Sequence, residues 1–227
     1  MGPGFQRLWL VWGLVAVLGF HILLGLYATA LNELFYAYHG PFFDSLGYYN
    51  NIAQMEVVAQ ERGAWAGFVD AVYGSTVVYP WLIIAPLMSW IEPSRSMGVF
   101  VQVFAAACMQ LALFFYFHRV RGRSWPESFV YSGAFVLIAA AFKHNGGLAD
   151  FRMDLLQYFL VTTTMATYLI ASHLGRRRWW VLMGVCAGLS CLGRTTSPVY
   201  LVPIFAVLFA ADLFIAREAF RKETLAT

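Results

Sequence analysis

Asp44 stands about a dozen residues beyond a long apolar run, in Gly40-Pro41-Phe42-Phe43-Asp44-Ser45-Leu46-Gly47-Tyr48-Tyr49. A carboxylate in that setting is placed to take a proton from a hydroxyl, the work of a general base. A second polar group is Asn145-Gly146-Gly147-Leu148-Ala149-Asp150-Phe151-Arg152-Met153-Asp154, preceded by Lys143 and His144. In a continuous helical turn Asp150 and Asp154 share a face and Arg152 points elsewhere. A third is Arg194, in Gly188-Leu189-Ser190-Cys191-Leu192-Gly193-Arg194-Thr195-Thr196-Ser197-Pro198. A carboxylate that can move a proton, placed at the rim of a bilayer, suggests chemistry on a lipid-linked substrate. Each residue also has a plainer reading. Asp44 can cap a helix, Asp150 and Asp154 can complement a helix dipole, and Arg194 can reach up to lipid headgroups.

The elements that must carry these residues follow from composition. Of the 227 residues, 60% are hydrophobic, 18% aromatic and only 12% charged, which cannot be arranged as a soluble domain with a polar surface. The chain reads as an all-α polytopic membrane protein, a single domain over 1–227. Cys108, Cys186 and Cys191 all lie in apolar stretches and make an odd count, so neither a disulfide framework nor a CxxC metal site is indicated. A net charge of +3 is too small to argue for nucleic acid. Its basic residues sit in short loops, where they report orientation.

Leu8 to Leu31 exceeds the roughly 7–15 apolar residues of a cleavable leader and is long enough to cross a bilayer of about 30 Å, so it reads as an anchor. Ala28-Thr29-Ala30 nevertheless resembles a cleavage site. Further apolar runs at 97–117, 128–142, 155–171, 179–193 and 198–216 predict six crossings in all. With the N-terminus inside, Arg7, Arg119, Arg121, Arg123, Arg176, Arg177, Arg178, Arg217, Arg221 and Lys222 fall inside, ten of the 15 basic residues. Counting 77–91 as a crossing would invert that pattern, and Pro80 and Pro86 interrupt it. It reads as a re-entrant segment within one large external loop over 32–96.

In that loop Tyr48, Ile52, Met55 and Ala59 share one helical face, while Asn50, Gln54 and Glu61 face away, as in a helix lying in the headgroup plane. Gly63-Ala64-Trp65-Ala66-Gly67 breaks it before a second short amphipathic piece, Phe68 to Tyr73. Arg194 is separated from Arg178 by 15 residues. That is roughly 22 Å of helix, so its charge lies near or below the outer interface, where ionisable groups usually face a cavity or a partner.

Taken together, these residues resemble the N-terminal module of the GT-C superfamily, polytopic glycosyltransferases that use polyprenyl-phosphate sugars, among them protein mannosyltransferases and lipid A aminoarabinose transferases. Asp44 in Phe43-Asp44-Ser45-x-x-Tyr48 is similar to the family's first-loop acid, and Thr76-Val77-Val78-Tyr79-Pro80-Trp81 through Pro86 to its re-entrant stretch. Asp150-Phe151-Arg152-Met153-Asp154 resembles D-x-R-P-D with Met153 in place of proline, and Ala187-Gly188-Leu189 through Arg194-Thr195-Thr196 resembles the helix that ends on a basic residue. The resemblance implies Asp44 and Asp154 as catalytic carboxylates. Arg152 and Arg194, with Lys143, His144 and Asp150, would bind the donor phosphate and substrate. No cofactor or metal site is indicated, although Asp44, Asp150 and Asp154 offer oxygen ligands that suit a divalent cation. The implied partners are a lipid-linked sugar donor and membrane lipid, with the active face on the outside of a bacterial inner membrane. Such enzymes carry further transmembrane helices, so the chain is expected to be a truncated or split enzyme, or a non-catalytic GT-C-like subunit that docks on other membrane subunits of a larger complex.

Overall fold

The structure, a computed structural model, describes residues 3–38, 43–74, 95–142, 153–194 and 196–226. Among these there is no strand. The helices are α1 (Pro3–Tyr38), α2 (Phe43–Arg62), α3 (Ala64–Gly74), α4 (Arg95–Phe115), α5 (Trp125–Val136), α6 (Met153–Leu174), α7 (Arg177–Gly193) and α8 (Ser197–Ala226). A π-turn, Tyr116–Val120, extends α4, and a 3-10 turn, Ala139–Phe142, follows α5.

Among the described residues, four segments are long and apolar enough to cross a membrane, Val11–Leu34, Gly98–Val120, Asp154–Leu174 and Ser197–Phe214. The chain thus has the character of an integral membrane protein. The other two expected crossings are not among these segments. Residues 128–142 do not form one helix, because α5 has 12 residues and stops at Val136. There the hydroxyl of Tyr158 donates to the carbonyl of Phe135 (3.1 Å), which in a continuous helix would accept from the amide of residue 139. α7 has 17 residues, roughly 26 Å of helix.

α4 is the centre of the bundle, packed against α1, α5 and α6. The reason is its sequence phase: Val99, Gln102, Val103, Ala106, Met109, Gln110 and Leu113 recur at helical spacing and are all buried, while Phe100 and Phe104 face outward. Two contacts fix α1 against it in antiparallel register. A Cβ on Gly13 would meet Phe114 at 2.5 Å, and one on Gly25 would meet Val103 at 3.6 Å. Phe115, at the end of α4, packs on Trp179, just past the end of α6, with ring centroids 6.0 Å apart. α4 and α6 therefore run parallel.

In lipid, burying a valine gains little, since acyl tails are as apolar as the protein interior, so packing and satisfied polar groups hold the helices. The run Thr162-Thr163-Thr164 is tolerated inside α6 for that reason. Thr163 donates to the carbonyl of Phe159 (2.7 Å), Thr164 to that of Leu160 (2.8 Å) and Thr167 to that of Thr163 (2.9 Å).

Outside the bundle core, α2 and α3 form a hairpin. Met55 is buried, Ala59 partly buried, and Asn50, Gln54 and Glu61 are exposed, as the face assignment expects; the side chains of Tyr48 and Ile52 lie outside the described residues. The break is narrower than its sequence indicates: only Gly63, at φ +90°, interrupts the helix, and α3 starts at Ala64 rather than Phe68. Gly67 is helical and lets the two backbones approach, since a Cβ there would sit 2.7 Å from Ala59 Cβ and 3.0 Å from the Met55 carbonyl oxygen. The expected loop also starts later, because α1 continues to Tyr38. The expected re-entrant segment 77–91 lies outside the described residues.

Candidate functional site

α6 opens at Met153, which makes Asp154 its second residue, and α7 ends at Gly193, which makes Arg194 its C-cap. The cap is extended (φ −156°, ψ 127°), and its N–H still donates to the carbonyl of Ser190 (3.1 Å). The chain then turns at once, the amide of Ser197 donating to the Arg194 carbonyl (3.0 Å), and α8 starts with Pro198 in its first turn, where a missing N–H costs nothing. This short connection aims Arg194 back at α6. Its Nη1 donates to Asp154 Oδ1, an ion pair between residues 40 apart. One turn further along α6, Gln157 Nε2 donates to Thr196 Oγ1 (3.2 Å) and to Ser197 Oγ (3.0 Å).

Asp154 and Arg194 thus meet at one end of the bundle, with side chains 68% and 34% exposed. A guanidinium has five N–H donors, so the pair leaves others for an anion, and the second carboxylate oxygen stays available as an acceptor. Arg194 is therefore not a lone cation reaching for headgroups.

The remaining expected site residues are placed only in part. Asp44 is the second residue of α2 rather than a residue preceding it, and its side chain lies outside the described residues, as do Lys143, His144, Asp150 and Arg152. Among the described residues no group of three or more His, Cys, Asp or Glu side chains gathers where a metal ion would be held. The three cysteines are free.

Two polar side chains within the apolar spans were not singled out from the sequence. Asp212, in the apolar span of α8, accepts hydrogen bonds from Tyr168 (2.7 Å) and Ser172 (3.1 Å) of α6. The signal was available: a lone carboxylate in an 18-residue apolar run is costly unless paired. The other is His21 of α1, only 5% exposed, whose Nδ1 lies 3.0 Å from the Val17 carbonyl and whose Nε2 has no partner. It borders an apolar groove of about 510 Å³ between α1 and α4, lined by Leu18, Leu26, Val103 and Phe104, with Glu33 the acidic residue among its lining. Neither Asp154 nor Arg194 lines that groove.

No family model, curated protein or solved structure matches the chain.

Proposed function

We propose that this chain is a membrane glycosyltransferase module of GT-C type, moving a sugar from a polyprenyl-phosphate donor to an acceptor at the end of the bundle that carries Asp154 and Arg194. The observation that supports it is the pair itself: a guanidinium oriented by a carboxylate from another helix and still open on one side. A phosphate docked on the remaining N–H groups gains charge-assisted hydrogen bonds in a fixed plane. Donors already in place where charge grows on a leaving phosphate lower the barrier without reorganisation. In this reading Asp154 positions Arg194, and Lys143, His144, Asp150 and Arg152, in the segment leading into α6, complete the substrate site.

Asp44 then carries the base role. The acceptor hydroxyl gives its proton to the carboxylate, its oxygen bonds the anomeric carbon, and the bond from that carbon to the phosphate oxygen breaks, polyprenyl phosphate leaving with the electron pair. In proteoliposomes loaded with a polyprenyl-phosphate-linked hexose and a cell-extract acceptor fraction, release of polyprenyl phosphate should require the protein and vanish in Asp44→Asn. A fully active Asp44→Asn protein ends the base assignment.

A second reading, a non-catalytic subunit of a larger membrane complex, draws on α8 and α1. Only 11% and 22% of their most apolar windows are buried inside the bundle, against 72% for α4. Two long helices with so little protein around them offer faces to other membrane subunits as readily as to lipid. Release equal to that of empty liposomes, with other subunits retained through gentle purification, would favour this reading.

A further inference from the structure

The sequence separates two arginine clusters, Arg119, Arg121 and Arg123 after α4 and Arg176, Arg177 and Arg178 between α6 and α7. The fold brings them to one end, opposite Asp154 and Arg194. Phe115 packs on Trp179 at 6.0 Å, and the π-turn that bears Arg119 packs against α6, whose end leads into Arg176. The first loop is ordered by its own hydrogen bonds. His118 Nδ1 lies 2.9 Å from the Arg123 carbonyl, the Arg123 amide donates to the Phe117 carbonyl (3.0 Å), and Gly122 turns at φ +64°.

All six arginines are exposed. Among the residues whose side chains are described, two carboxylates at this end of the bundle are engaged by hydroxyls. Glu127 accepts from Ser124 (2.7 Å) and Asp212 from Tyr168 and Ser172. Arg123 is close enough to Glu127 to act on its charge, but no ion pair with any of the six is formed among those residues. Aromatic rings lie just behind: the Arg178 guanidinium sits 5.9 Å over the Trp179 ring, and Phe117 packs on Tyr131. Tyrosine and tryptophan mark headgroup depth, so the guanidinium groups stand at the level of lipid phosphates.

We propose that these two loops together form the headgroup site of an anionic phospholipid. Orientation in the membrane needs only the count of charges in each loop. It does not need six exposed guanidinium groups without a carboxylate ion pair among the described residues, borne by two loops at one end of the bundle beside aromatic rings, which is what a phosphodiester with a net negative charge fits. The site is independent of the glycosyltransferase reading and lies at the other end of the bundle.

The test is native mass spectrometry of the full chain in dodecyl maltoside, titrated with cardiolipin and with phosphatidylcholine of matched acyl chains. Cardiolipin should bind and phosphatidylcholine should not compete. Replacing Arg119, Arg121 and Arg123 with Gln, or Arg176, Arg177 and Arg178 with Gln, should each weaken binding by about a hundredfold, the order expected for three surface cations. The same loss of charge at Arg217, Arg221 and Lys222 should weaken it far less. If a glutamine triple does not fold, Lys at Arg119, Arg121 and Arg123 keeps the charge, and should bind several-fold more weakly for lack of the planar fork. Equal effects from all three triples, equal binding of the two lipids, or unchanged binding in the Lys variant would overturn the site and leave only orienting charge.

Discussion

Exchanging the charges of Asp154 and Arg194 separates a helix staple from a phosphate site. Two unit charges about 4 Å apart attract by roughly 4 kcal/mol at an effective dielectric of about 20. The carboxylate here is 68% exposed and its partner 34% exposed, so most of that attraction is screened. A coupling of about 0.5–1 kcal/mol is left. Arg194→Ala and Asp154→Ala should each lower stability by about that amount, a shift of roughly 1–4 °C in unfolding midpoint for a chain of this size. The double variant Asp154→Arg with Arg194→Asp should regain most of it. Unfolding is followed by tryptophan fluorescence in detergent, and the coupling is taken from the double-mutant cycle. Binding of undecaprenyl phosphate should behave differently. If Arg194 holds the phosphate from the α7 to α8 turn, the exchange moves the guanidinium to α6, and binding should fall at least tenfold, or about 1.4 kcal/mol, even where stability returns. A coupling above about 3 kcal/mol would refute the screening argument, since only a desolvated pair reaches it. Retained phosphate binding in the exchanged protein would refute the positional role of Arg194.

Three further outcomes follow from the geometry. Gly67→Val should open the α2 to α3 hairpin, because its Cβ would press on the Met55 carbonyl and Ala59 backbone. The expected cost is about 1–3 kcal/mol, read as faster proteolysis after Arg62. At the start of α5, Ser124 and Glu127 form a capping box, and hydrogen bonds from the Ser124 side chain and backbone, with help from Arg123, hold the Glu127 carboxyl below its usual range. A depressed folded pKa gives stability that is complete above the ordinary glutamate value of about 4.3 and lost as pH falls through the folded value. Amide exchange at the start of α5 should accelerate over that acid window in the wild type, and Glu127→Gln should remove the pH dependence. Finally, single cysteines replacing Glu61 and Arg121 in a background without the native cysteines should differ toward an impermeant thiol reagent added outside, the first reacting and the second protected. Labelling at position 121 from outside would invert the orientation.

The class and several boundaries were legible in the chain alone. Hydrophobic length is a local sum, so the runs near Leu8–Leu31, 97–117, 155–171 and 198–216 foretold four segments that are long and apolar enough to span. The face of α2 with Met55 inward followed from helical spacing, and Gly63 marked a turn because few other residues take a positive φ. Segregation of arginines into two loops was equally visible. What depended on rotational phase and on partners far along the chain was not. Residues 128–142 carry no charge and are mostly apolar, yet the helix ends at Val136, where a hydroxyl from α6 takes one of its last carbonyls. Arg194 read alone was a cation too deep for comfort, and only the turn after α7 turns it onto Asp154, 40 residues earlier. Asp212 finds Tyr168 across 44 residues in the same way, and the two arginine loops become one surface only because Phe115 meets Trp179. Sequence determines which segments leave water, because transfer free energy adds residue by residue. Which polar groups then meet is decided by helix rotation and register, and these are set by packing across the whole bundle.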